Sequence, residues 1–184
     1  AAFEGLRLEE ASKRLEMPPE ETVLHLFGLA KGNVLANYFS MDEVDVRTIL
    51  QQKTWVTVAS DGMAYDYDDQ FCPPKPHPRN YGTFPRALKL AREENLLNLE
   101  DIVYKMTGLP AKLFGFKNRG ILKKGNIADL VVFDPEKIAD TATFENPKVK
   151  PVGIHHVFVN GVPIVLNGIQ QDEYPGQVIL KNKE

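Results

Sequence analysis

Residues 55–62 have the sequence WVTVASDG, an apolar run rich in β-branched side chains that ends in a polar turn. β-branched and aromatic residues favour strands, and Asp-Gly is typical of turns. The stretch therefore predicts a buried strand over Trp55–Ala59. It also places Asp61 at the point where that strand leaves the core.

The residues before this strand predict a helix and a further strand. Ser40 and Glu43 are three positions apart, as a capping box requires, so we expect a helix from there to Leu50. The mostly apolar run Val34–Phe39 precedes it and predicts a short strand. Strand, capped helix and strand in this order indicate an α/β region, in which a helix crosses over between two parallel strands.

Further helices are predicted on both sides of this unit. Apolar spacing predicts a helix over Leu6–Leu15, and Pro18-Pro19 opens a second one that ends near Gly32. Residues 61–82 contain four prolines and predict a long loop, which is a common location for function. After it, Thr83 is expected to cap a helix that begins at Phe84-Pro85, and Asn98 to cap one that runs to Gly108.

The last sixty or so residues have a different character, which begins near Arg119-Gly120. Residues 128–133, 156–159 and 162–165 predict strands, and Asn160-Gly161 is a strong signal for a two-residue hairpin. A second pair, Asn167-Gly168, follows. Pro163 cannot donate a ladder hydrogen bond and is expected at an edge or a bulge. We therefore expect two domains, residues 1–117 and residues 118–184.

Composition excludes several classes of function. Of the 184 residues, 43% are apolar and 26% charged, and the formal net charge is -3 without a basic block. This balance argues against nucleic acid or an anionic membrane surface as a partner, and favours small polar substrates or proteins. The single Cys72 cannot form an internal disulfide, and a cytoplasmic location is expected. The chain begins Ala1-Ala2-Phe3 without Met, so we expect a fragment or a trimmed or partly ordered longer chain.

Asp61 is the sharpest candidate for chemistry. In a (β/α)8 barrel the active site lies at the C-terminal ends of the strands. A carboxylate at such a strand end is well placed for acid–base or metal chemistry. An Asp-Gly pair after a strand is, however, most often a simple turn former. Position alone leaves both interpretations open.

The histidines and the cysteine lack the spacing of a metal site. His77 lies alone between prolines, without a His-x-His or His-x-x-x-His pair, and is interpreted as a hydrogen-bonding loop residue. Structural roles are expected for His25 and His155-His156, and Cys72 belongs to no motif pair. The acidic run of residues 65–69 lacks the pattern of a calcium loop and is interpreted as a solvated flap.

Four stretches together resemble the consecutive signatures of the N-acyl-D-amino-acid deacylases (D-aminoacylases) of the amidohydrolase superfamily. They occur in that family's order and cover nearly the whole chain, and the first two together are the most specific. The four are VASDG at 58–62, HPRNYGTFPR at 77–86, KMTGLPA at 105–111 and KGNIADLVVFD at 124–134.

The resemblance implies the C-terminal portion of a (β/α)8 TIM barrel followed by part of a small β-sandwich. It also implies a zinc enzyme whose metal ligands lie mostly upstream of this chain. Asp61 matches the catalytic aspartate beside the metal, which moves a proton from the attacking water to the departing amine. Arg79 matches the arginine that holds the substrate's α-carboxylate, with a solvated loop arginine as the alternative, and Ser60 and Gly62 are expected to bind substrate.

The expected function is hydrolysis of an N-acyl-D-amino acid to a carboxylate and a D-amino acid by the complete enzyme. The alternatives are dihydroorotase-like hydrolysis of a cyclic amide, and a non-catalytic fragment, because the metal ligands are absent. Half a barrel leaves strand edges and core uncovered. We therefore expect the chain to be ordered only with a partner: the missing N-terminal part or another copy.

Overall fold

The structure is a computed structural model, and it describes residues 2–65, 72–73 and 75–180. In that part of the chain, a helical half precedes a sheet. The helices are α1 (Leu8–Leu15), α2 (Pro19–Leu29), α3 (Glu43–Leu50), α4 (Arg79–Glu93), α5 (Leu99–Met106) and α6 (Gly108–Phe114). The strands are β1 (Leu130–Phe133), β2 (Ile154–Val159), β3 (Val162–Leu166) and β4 (Ile169–Gln170).

The predicted strands in the first half are not formed. Val34–Phe39 and Trp55–Ala59 have neither strand nor helix structure, and the Trp55 side chain is 68% exposed instead of buried. Val58 donates its backbone N–H to the carbonyl of Lys105 in α5, at 3.3 Å. A strand needs neighbouring strands to satisfy its backbone groups, and no strand of the described residues lies beside these two runs. The predicted parallel pair was therefore wrong for this chain.

Helix α4 begins earlier than predicted. The expected start was Phe84-Pro85 with Thr83 as the cap, but the helix starts at Arg79 and includes Pro85 in its interior. The Thr83 hydroxyl donates back to the carbonyl of Arg79 at 3.0 Å, so it is part of the helix and does not cap it. Residues 79–82 of the predicted loop thus belong to α4, and they bring Arg79 to the helix N-terminus.

Other local predictions are confirmed. Asn98 caps α5, because its side-chain oxygen accepts the Asp101 N–H at 2.8 Å. Helix α3 ends at Leu50 as predicted, but its cap is Asp42, which accepts the Val44 N–H at 2.7 Å, and not Ser40. Helix α6, which follows α5 almost directly, was not predicted.

The sheet is antiparallel throughout, with strand order β1-β2-β3-β4. Asn160 and Gly161 have φ angles of +50° and +78° and form the predicted hairpin turn. Pro163 pairs with Phe158 beside a register shift in β2, which confirms its place at a bulge.

The core lies mainly between α4 and α5. The buried cluster is Leu50, Ala87, Leu88, Ala91, Leu97, Ile102 and Ile138. Arg92 of α4 donates to the carbonyls of Pro135 at 2.8 Å and Ile138 at 3.0 Å, so α4 also packs against the residues that follow β1. None of the helices in the described residues combines the length and the apolar character that a membrane span requires.

Candidate active site

The turn at residues 60–62 presents Asp61 to solvent. The Ser60 hydroxyl accepts the Gly62 N–H at 3.2 Å and closes the turn. Asp61 itself has a φ of +45°, in the left-handed region that Asp tolerates better than most side chains. Its side chain is 86% exposed, so the carboxylate is accessible to a substrate or to water.

The structure brings Asp61 and Arg79 together, although the two residues are far apart in the sequence. An Arg79 Nη2 atom lies 3.0 Å from Asp61 Oδ2. The Arg79 side chain is 45% exposed, so the guanidinium remains open to a second anion. A guanidinium has five N–H donors in a fork that suits carboxylates, and one carboxylate does not exhaust them.

Asn80 is a site residue that the sequence analysis missed. Its side-chain oxygen accepts the Met63 N–H at 2.7 Å and ties the Asp61 turn to the first turn of α4. A Cβ atom at Gly62 would lie 3.0 Å from Asn80 Oδ1 and 3.1 Å from Asn80 Cα, so the turn approaches the helix closely. The available signal was the position of Asn80 directly after Arg79 in the HPRN stretch.

Helix α5 holds the segment that leads to the turn. The Lys105 side chain is fully buried, and its Nζ donates to the carbonyl of Gln52, while its own carbonyl accepts the Val58 N–H. Burial lowers the pKa of Lys105 below its ordinary value, because the charged ammonium is desolvated. One residue of α5 thus fixes both ends of residues 52–58.

His77 lies next to the site, two residues before Arg79. Its Nδ1 atom accepts the Arg79 N–H at 3.0 Å, which confirms its interpretation as a hydrogen-bonding loop residue. Burial is the main factor that lowers the pKa of His77, and the positive charge of Arg79 adds to it. The remaining histidines lie elsewhere: His156 accepts the Asn167 N–H at 3.2 Å within the sheet, and His25 lies in α2.

The described residues do not by themselves form a metal site. No group of three His, Cys, Asp or Glu side chains within them is arranged to hold a metal ion. Cys72 is buried with its sulfur 3.6 Å from the Tyr81 hydroxyl. Four residues of the predicted acidic flap, 66–69, lie outside the described residues.

The arrangement supports two chemical tasks. An accessible carboxylate can accept a proton from water and return it to a leaving group. A guanidinium 3.0 Å away can bind a carboxylate group of a substrate and thereby place that substrate beside Asp61. Because Arg79 also pairs with Asp61, a bound anion would share the guanidinium with the Asp61 carboxylate.

Comparison with known proteins gives a consistent result. The amidohydrolase family matches residues 41–165. The chain is 46% identical, over 147 residues, to the D-aminoacylase of Alcaligenes xylosoxydans xylosoxydans, a match that covers 79% of this chain and 29% of that protein. It is 45% identical to an N-acyl-D-aspartate deacylase of the same organism, with 78% and 28% covered.

Solved structures agree with these relatives. An N-acyl-D-glutamate deacylase from Bordetella bronchiseptica, solved with zinc and a phosphonate inhibitor, matches with a TM-score of 0.72 at 39% identity, over 87% of this chain and 31% of that one. A D-aminoacylase mutant in complex with CuCl2 matches with a TM-score of 0.81 at 37% identity, over 98% and 35%. The chain spans about a third or less of the relatives that it matches. The family match covers most of the chain, and solved structures of D-amino-acid deacylases share its fold. This chain therefore belongs to the amidohydrolase family.

Proposed function

We propose that this chain is part of an enzyme that hydrolyses N-acyl-D-amino acids to a carboxylate and a free D-amino acid. The observation that carries the proposal is the contact of Asp61 with Arg79 at 3.0 Å, in a chain 46% identical to a D-aminoacylase. Dihydroorotases match more weakly, one at 39% identity over 72 residues, so hydrolysis of a cyclic amide is the second candidate.

In this proposal the two side chains divide the work. Arg79 binds the α-carboxylate of the substrate, and the Ser60-Asp61-Gly62 turn contacts the amide region. Asp61 accepts a proton from the attacking water and delivers it to the departing nitrogen, because an amine leaves poorly until it is protonated. Asn80 holds the turn against α4, so that the two functional side chains keep their separation.

The proposal extends to architecture and cofactor. Residues 1–117 would contribute to a (β/α)8 barrel and residues 118–184 to a small β-sandwich, completed by the rest of the protein. Zinc is the proposed metal, since a solved relative at 39% identity was crystallised with it. Its ligands would come from outside the described residues, so an isolated 184-residue chain should contain little or no zinc by elemental analysis. We further propose a cytoplasmic location.

Steady-state kinetics of two variants in the complete protein test the assignment. Asp61→Asn removes the proton acceptor and should lower kcat by about 10²- to 10⁴-fold. Arg79→Met removes charge-assisted hydrogen bonds worth about 1.5–3 kcal/mol and should raise KM by roughly 10- to 150-fold for substrates with a free α-carboxylate. Arg14→Met, on exposed α1, is the control and should behave like the wild type.

An unchanged KM in Arg79→Met would argue against an α-carboxylate clamp. Hydrolysis of a cyclic amide by the complete protein, with N-acyl-D-amino acids left intact, would favour the second candidate. Full activity in Asp61→Asn would exclude Asp61 from the chemistry. Stoichiometric zinc in the isolated chain would show that the ligands were assigned to the wrong part of the protein.

A further inference from the structure

His77 makes two specific contacts, one through its Nδ1 atom and one through its ring. Its Nδ1 atom accepts the backbone N–H of Arg79 at 3.0 Å. The ring also packs edge-on against Phe144, with centroids 5.1 Å apart and planes at 84°. Its side chain is thus held between the start of α4 and the segment that follows β1.

The hydrogen bond from the Arg79 N–H to His77 lies at the N-terminus of α4, where the N-cap residue supplies no side-chain acceptor. The first N–H groups of any helix have no partner within the helix. In α4 the residue at the N-cap position is Pro78, whose side chain makes no capping hydrogen bond. The first N–H of this helix belongs to Arg79, and His77 accepts it. His77 therefore performs the capping role that Pro78 cannot.

The ring contact fixes the orientation of His77. Phe144 packs against Phe39 with centroids 4.8 Å apart, and the guanidinium of Arg7 lies 4.3 Å from the Phe39 ring. These contacts join the N-terminus of α1, the segment before α3 and the segment after β1. An imidazole packed in this row keeps Nδ1 directed at α4.

We propose that His77 is a positioning residue that holds Arg79 toward Asp61 through its Nδ1 acceptor. The part of this inference that concerns substrate rests on the proposed function, because it takes Arg79 as the carboxylate clamp. In this role His77 acts through the backbone of Arg79 and not on the substrate itself. Its lowered pKa is consistent with this role, since only the neutral ring accepts at Nδ1.

Two substitutions separate the acceptor from the ring. His77→Phe keeps an aromatic ring beside Phe144 and removes the acceptor. His77→Asn removes the ring and keeps a side-chain oxygen that accepts an N–H two residues ahead, as in an Asx turn. His155→Phe, at an exposed position on β2, is the matched control.

The complete protein is assayed for hydrolysis of an N-acyl-D-amino acid, and exchange of the Arg79 amide hydrogen is followed by NMR. In His77→Phe, KM should rise about three- to tenfold with a much smaller change in kcat, and the Arg79 amide should exchange faster. In His77→Asn, both quantities should stay within about threefold of the wild type. His155→Phe should change neither.

Each result decides for or against the inference. An unchanged KM and unchanged Arg79 exchange in His77→Phe would overturn it, as would equal losses in His77→Phe and His77→Asn. If thermal unfolding shows that His77→Phe does not fold, His77→Asn carries the test, and a tenfold loss there overturns the acceptor role. A wild-type protein inactive on N-acyl-D-amino acids would refute the proposed function, while Arg79 exchange would still decide the role of His77.

Discussion

At the scale of single residues, the site depends on close approach between a turn and a helix. Asp61 adopts a left-handed conformation, and Gly62 follows it against the Asn80 side chain and backbone. The hydrogen bond from Met63 to Asn80 holds this geometry at 2.7 Å. The missing Cβ atom at Gly62 therefore allows the Asp61 turn to lie close to the start of α4, where Arg79 is found.

Gly62→Ala should disturb this site. The added methyl group would lie 3.1 Å from Asn80 Cα, so either the turn or the helix must move. Overpacking of this kind costs about 1–3 kcal/mol of stability, and kcat/KM should fall as Asp61 shifts. Gly28→Ala in α2 is the control, because nothing lies within 4 Å of its added Cβ and helix propensity should stabilise it by about 0.5–1 kcal/mol. Equal stability and kcat/KM in Gly62→Ala and the wild type would contradict this account.

His77 should also produce a pH dependence of stability. In the unfolded chain its pKa has the ordinary value near 6.5, whereas burial and Arg79 lower it in the folded protein. Below pH about 6.5 the unfolded state therefore binds more protons, and the free energy of unfolding should fall until the pH drops below the folded pKa. Denaturant unfolding between pH 4.5 and 8, compared with His77→Asn, measures this contribution. The same slope in both proteins would contradict it.

At the scale of elements, the start of α4 and the contacts of α5 position the site. Helix α4 places Arg79 and Asn80 in its first turn, and α5 holds residues 52–58 through Lys105. Helices α4 and α5 share the buried core around Ala91 and Ile102, each 1% exposed. Displacement of either helix would therefore move the site.

Asn98 makes a testable contribution at this scale. Asn98→Ala removes the acceptor for the Asp101 N–H and should destabilise the protein by about 1 kcal/mol, as loss of an N-cap does. Asn98→Asp retains a capping oxygen and should recover most of this loss. Thermal unfolding of the three proteins measures the difference. An Asn98→Ala variant as stable as the wild type would show that the Asn98 cap does not contribute to the stability of the protein.

At the scale of the whole molecule, much apolar surface faces outward. Trp55 is 68% exposed and Leu122 is 87% exposed, and other large apolar side chains in both halves are more than a third exposed. Exposed apolar surface of this extent typically marks an interface with another chain or another part of the same protein. The observation fits a chain that spans about a third or less of its relatives.

The isolated 184-residue chain should therefore associate or fail to unfold cooperatively. Sedimentation velocity should detect species larger than a monomer, and thermal unfolding should lack a single sharp transition. The complete protein, measured in the same buffer, is the control and should unfold cooperatively. A monomeric 184-residue chain with one sharp transition would refute this expectation.

Predictions from the sequence succeeded where local geometry decides the outcome. The Asn98 cap and the Asn160-Gly161 hairpin rest on contacts between residues at most a few positions apart. The predicted start of α4 at Phe84-Pro85 was wrong because proline favours a helix start, whereas here Pro85 lies inside the helix. The predicted strand at Trp55–Ala59 failed because strand formation requires neighbouring strands, and the described residues offer none there.

The sequence by itself determined the family resemblance, the Asn98 cap, the Asn160-Gly161 hairpin, and the identity of Asp61 and Arg79 as candidates, because these depend on residue type and short spacing. Only the tertiary structure decided that the Asp61 carboxylate and the Arg79 guanidinium lie 3.0 Å apart. It also decided that Asn80 ties the turn to α4 and that His77 supplies the missing cap. The physical reason is that these contacts depend on where α4 begins and how it packs, which the spacing of residues along the chain does not specify.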